Sequence, residues 1–218
     1  MSVWIRSMTF AVWGVASAAS ANDALLDEAL GRPAVPLGQV NGVIRTTAYI
    51  QGGDKPETDT DVVDPRKEPK KALPSYDVLK TVIGKDARRV SGGDGHAVYA
   101  FTTRTVPKGF AGTGKAHVTS GADDQESYDG TAEVNTDAEG RPYVSHLGLR
   151  LQKPLGTFFA HVGIVDFDYT FAPASASGFV ATGMRVHVDM KAFFVIHRDI
   201  RVEATLVPAL SSVPSGET

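Results

Sequence analysis

The period-two alternation between Tyr143 and Leu206 constrains this chain most. Tyr143, Leu147, Leu149 and Leu151 share one parity, and His146, Arg150 and Gln152 the other. Met184, Val186, Val188 and Met190 alternate with Arg185, His187, Asp189 and Lys191. Residues 192–207 read as a continuing strand, with Ile200, Val202, Ala204 and Leu206 alternating against Arg201, Glu203 and Thr205. Successive side chains of a strand point to opposite faces, so each run has a wet face and a packed one. Phe158 to Phe171 differs, being apolar on both parities apart from Asp166 and Asp168. Seven of the ten phenylalanines (Phe158, Phe159, Phe167, Phe171, Phe179, Phe193 and Phe194) lie in this third of the chain, which places the main core there.

Upstream, the signals are shorter. Asn22 or Asp23 caps a short helix through Leu30, which Gly31 ends and Pro33 and Pro36 keep from resuming. Val43–Ile50 is rich in β-branched residues and reads as a first strand. Residues 51–74, with Pro56, Pro65, Pro69 and Pro74 and dense charge of both signs, read as a polar, flexible loop, mobile as a lid or disordered. Ser75 caps a second helix whose Tyr76, Leu79, Val82 and Ile83 fall at helical spacing before Gly84. Ala97–Val106, Lys115–Thr119 and Gly130–Thr136 are further strands, and Asp137–Pro142 is a turn.

The sum is a mainly β, β-rich α+β chain. It is an antiparallel meander of about seven or eight strands with one or two short helices. Strands this long coil under their own twist, so the sheet is expected as a curved half-barrel, a barrel or a sandwich. In outline this resembles periplasmic half-barrel lipoprotein carriers, a likeness of fold that no specific motif accompanies.

Residues 1–21 carry a single charge, Arg6, then an apolar run of about a dozen residues, then Ala19-Ser20-Ala21. That is the layout of a secretory signal peptide cleaved near Ala21, too short to span a bilayer. The expectation is a periplasmic or secreted protein with one domain over 22–207, a disordered tail over 208–218, and no transmembrane segment in the mature chain. Cleavage removes only Arg6 among charged residues, so the formal net charge falls from −3 to −4. Such a balance gives no basic footprint for nucleic acid. With no cysteine, thiol catalysis, iron–sulfur clusters and thiolate zinc sites are excluded.

Three motifs invite chemistry. Gly109–Lys115 matches the phosphate-cradling G-x-x-x-x-G-K, but Ala116 replaces the magnesium-binding hydroxyl and a strand follows where a helix should open. It reads as a glycine-rich hairpin loop. His187-Val188-Asp189, His197-Arg198-Asp199 and Asp166-Phe167-Asp168 each present two polar groups on one strand face. Converging, Asp166, Asp168, His187, Asp189, His197 and Asp199 would form a metal site, and His161 would join only if a bulge changed its parity. The plainer account is a wet sheet face of cross-strand His–Asp and Arg–Asp pairs. No G-x-S-x-G elbow is present.

The leading functional expectation is a non-enzymatic, exported protein that binds or carries an apolar small molecule or lipid, without a cofactor. Its cavity would be lined by Phe159, Phe167, Tyr169, Phe171, Met184, Val186 and Val188. The alternatives are an envelope structural or interaction module with a solid core, and a metal-assisted hydrolase using the His/Asp pairs.

Overall fold

The computed structural model describes residues 23–109, 111–118, 126–156, 160–175, 178–193 and 196–209. The signal-like segment 1–21, Phe158, Phe159 and residues 210–218 of the expected tail lie outside the described residues.

Two short helices open the inner side of the fold. In α1 (Ala24–Leu30) the Asp23 carboxylate accepts from the Leu25 N–H at 3.1 Å, and Leu26, Ala29 and Leu30 are buried. The strands β1 (Gly42–Gln51) and β2 (Glu57–Val63) follow. The second helix, α2 (Leu79–Ile83), continues a 3₁₀ turn at Tyr76–Val78 that Ser75 caps, and Tyr76, Leu79, Val82 and Ile83 are all buried as their spacing predicts.

Next come β3 (Arg88–Gly93), β4 (His96–Thr103), and the short ribbon of β5 (Ala111–Gly112) with β6 (His117–Val118). The chain then runs through β7 (Tyr128–Thr136), β8 (Pro142–Leu151) and β9 (Leu155–Gly156). Three long strands close it: β10 (Ala160–Ser175), β11 (Gly178–Ala192) and β12 (Ile196–Pro208).

Among the described residues, ten strands form one antiparallel sheet in the order β2-β1-β12-β11-β10-β8-β7-β4-β3, with β9 on β10. The sheet is open, its edges being β2 and β3. It is thus neither a closed barrel nor a sandwich of two large sheets. One turn of topology departs from a plain meander: β1 returns to pair with the last strand, Gly42 opposite Pro208 through Gln51 opposite Asp199. Alternate residues of β1, β12, β11, β10, β8, β7 and β4 join the side chains of α1 and α2 in a single core cluster. A sheet whose one face feeds a common core from both ends must wrap around it.

Three readings need correction. Within 51–74, expected as a flexible loop, Glu57–Val63 is an edge strand on β1, with Ile50 opposite Glu57 and Ile44 opposite Val63. Thr58, Thr60, Val62 and Val63 favour the extended chain, and Glu57, Asp59 and Asp61 along the edge discourage further pairing. Residues 192–207 are not one strand: β11 ends at Ala192, which pairs with Ile196 as the chain reverses. The reversal carries no glycine or proline, and Phe193 adopts a φ of 50°, unusual for an aromatic residue. Pro208, placed in the tail, is the last residue of β12.

The 109–115 loop behaves as a hairpin. Ala111 pairs with Val118 and Gly112 with His117, and the Lys115 ammonium is 3.0 Å from Glu57 on the β2 edge. A lysine engaged by a carboxylate and followed by β6 is no phosphate cradle.

Candidate functional site

The outer face shows why the His/Asp pairs do not converge. Asp189 and Asp199 are directly opposed across β11 and β12. Each carboxylate is taken diagonally by a histidine of the other strand: His187 Nε2 lies 3.0 Å from Asp199, and His197 Nε2 contacts Asp189. Arg201 also pairs with Asp199, at 3.2 Å. On the neighbouring strands Arg150 pairs with Asp166 at 3.1 Å and His146 with Asp168 at 3.3 Å. The six candidate ligands are therefore divided among separate ion pairs. No group of three or more His, Asp or Glu is placed to hold a metal among the described residues. A bulge at Gly163 does change the parity of β10 and sets His161 opposite Lys191, but brings it into no such group.

His146 is the titratable group most shaped by this face. The Asp168 carboxylate holds its imidazole above the ordinary midpoint of 6.5, against the opposing pull of burial, and Glu133 at 3.9 Å adds to the effect. Asp168 is held below the usual carboxylate value by the same contact. The pair thus contributes stability between the two midpoints. The contribution is lost as pH falls through the lowered Asp168 value and as pH rises through the raised His146 value. An NMR titration of the His146 ring should give a midpoint above 6.5, and Asp168→Asn should bring it down. An unchanged midpoint would show that the contact does not hold the charge.

The inner face is filled. Phe167, Tyr169, Phe171, Met184 and Val186 are buried in the core cluster, and Val188 packs against its edge. None of these six expected lining residues borders the apolar cleft beside the start of β11. Phe159, the seventh, lies outside the described residues.

That cleft, of about 790 Å³, opens where three irregular segments meet the start of β11. Its apolar lining includes Leu37, Val40, Ala72, Leu73, Tyr76, Phe179 and Ala181, and its polar groups are Lys70, Ser75, Asp77 and Lys108. A small void of about 20 Å³, bordered by Ile44, Pro65 and Leu206, shares Leu37 and Val40 with it.

Local chemistry builds each wall. Pro33 and Pro36 hold their segment extended, and it runs along β11 through two bonds: Phe179 N–H to Pro33 C=O at 3.0 Å and Val35 N–H to Phe179 C=O at 2.9 Å. A Cβ on Gly178 would come within 2.7 Å of Val35 Cγ2, so only glycine admits this approach. On the opposite wall, a Cβ on Gly109 would come within 2.9 Å of Pro74 Cδ.

The floor is an aromatic chain. The Phe179 ring stacks on Tyr143 at 4.9 Å and meets Tyr76 at 5.1 Å, while Tyr76 meets Phe171 edge-on at 5.4 Å. The Arg32 guanidinium lies over the Phe179 ring, 5.2 Å from its centre. The Tyr76 hydroxyl donates to Ala29 C=O at 3.0 Å and accepts from Val144 N–H at 2.7 Å, tying α1 and β8 to the floor. Burial pushes its phenol far above the ordinary value. Tyr76 therefore stays neutral and structural.

No family model matches the chain, and neither the curated proteins nor the solved structures hold a match to it. The cleft residues missed by periodicity lie mostly outside periodic segments. Their one signal is proline spacing, Pro33 with Pro36 in an extended segment and Pro69 with Pro74 around a 3₁₀ turn at Pro69–Lys71, which stiffens two walls.

Proposed function

We propose that the protein is an exported, non-enzymatic binding or carrier protein that takes an apolar small molecule or lipid into the cleft floored by Phe179. One observation carries this reading: an open cleft of about 790 Å³, predominantly apolar with four polar side chains at its border. Small-molecule sites have this size and this ratio of apolar wall to polar handle. The signal-like segment 1–21 supports export. The ligand lies beside the sheet's core rather than within it, because α1 and α2 occupy the inner face.

The test is binding of the neutral dye Nile red. Wild-type protein should bind it saturably with a blue-shifted emission. Ala34→Trp, which fills the cleft from its rim, should weaken binding at least tenfold with little change in thermal stability. Equal binding by both proteins, or none by either, would favour the alternative of a solid-core interaction module. The buried state of Phe167, Tyr169 and Phe171 is compatible with that alternative.

A further inference from the structure

We infer that the cleft's ligand is an anionic amphiphile, its aliphatic part against Phe179 and its anionic head between Lys70 and Lys108. This rests on the binding role proposed above and adds the ligand's chemical class.

The charges around the cleft are divided unevenly. Most nearby cations are already engaged: Lys71 with Asp61 and Glu68, Arg66 with Asp64, Lys115 with Glu57, and Arg32 with Asp137. Lys70 and Lys108 are the two cations lining the cleft, and neither is within ion-pair distance of a carboxylate among the described residues. Both are exposed, Lys70 on the 69–77 segment and Lys108 beside Gly109, which packs close to Pro74 of that segment. The cleft's one carboxylate, Asp77, is turned into its own loop, where its N–H donates to Ser75 Oγ at 3.4 Å and the hydroxyl lies 3.5 Å from its side chain.

The cleft mouth is therefore net positive on a chain whose formal charge is −3. A cationic ligand would meet two unpaired ammonium groups, and a neutral one would leave them unused. A single anionic head satisfies both while its chain covers the apolar floor. A carboxylate and a phosphate head share this chemistry. The first would come from a free fatty acid and the second from a phospholipid-type molecule.

Displacement of Nile red separates the possibilities. Dodecanoate, dodecyl phosphate and 1-dodecanol share one chain and differ in the head. At least one of the two anions should displace the dye about tenfold more tightly than the alcohol. Preference for dodecanoate assigns the fatty-acid source, and preference for dodecyl phosphate the phospholipid source. In the Lys70→Glu/Lys108→Glu double variant the anion preference should vanish while 1-dodecanol still competes. Lys67→Glu, outside the cleft, should leave the preference intact.

Displacement by all three with equal strength would overturn the anionic head and leave the apolar site standing. Failure of all three, with Nile red itself unbound, would overturn both. A preference that survives in the double variant would remove Lys70 and Lys108 from the account.

Discussion

Phe179→Ala should cost about 3–5 kcal/mol of folding stability, the largest loss from any single truncation at the cleft. The ring is 2% exposed and holds three partners: Tyr143, Tyr76 and the Arg32 guanidinium. Removing it takes away apolar burial and leaves a hole that the two hydrogen bonds tethering residues 33–35 to β11 keep from collapsing. It also breaches the partition between the cleft and a second depression of about 410 Å³ bordered by Arg32, Asp137 and Arg141. Stability and Nile red affinity should therefore fall together. Phe179→Leu, which refills most of the volume, should recover most of both. Urea unfolding of the three proteins measures the first quantity. A loss below about 1 kcal/mol for the alanine variant would mean that the ring does not hold the cleft floor.

Tyr76→Phe should cost about 2–4 kcal/mol although it removes one oxygen atom. That oxygen serves two backbone groups at once, the Ala29 carbonyl and the Val144 amide, and the tyrosine is 1% exposed. Without it a buried acceptor and a buried donor lose their partners, each at a cost of about 1–3 kcal/mol. Tyr169→Phe is the matched control. Its equally buried hydroxyl makes one long bond, 3.4 Å to the Pro107 carbonyl, so its removal should cost about 1 kcal/mol or less. Comparable losses for the two variants would contradict the double role assigned to Tyr76. Because Tyr76 links α1, the 76–83 helical segment and β8, its variant should also show faster amide exchange over Ala24–Leu30.

These two residues illustrate how far the sequence reads and where it stops. The helical spacing of Tyr76, Leu79, Val82 and Ile83 predicts burial, and all four are buried. Spacing does not say that the Tyr76 hydroxyl reaches a helix and a strand distant in sequence. The alternation in β11 correctly separates Met184 and Val186 from Arg185 and His187. In β8 the parity switches, because Ser145 is an extra residue bonded to Glu133 and Asn135. Tyr143 consequently leaves the parity it shares on paper with Leu147.

The metal candidates failed to gather for a related reason. Two residues apart on a strand means the same face, which was legible. Register was not, and the direct opposition of Asp189 and Asp199 spreads the histidines into diagonal pairs. The cleft was least legible of all. Its walls come from residues 34–40, 69–77 and 108–109, which have no common period and meet through tertiary packing.

Amide chemical-shift mapping tests the central claim, that this cleft is a ligand site, most directly. On titration with Nile red, the largest shifts should fall at Leu37, Leu73, Val180 and Ala181, on three separate segments that meet at the cleft. Shifts confined to the outer face around Gly148 and Asp168, or none at saturating dye, would contradict it.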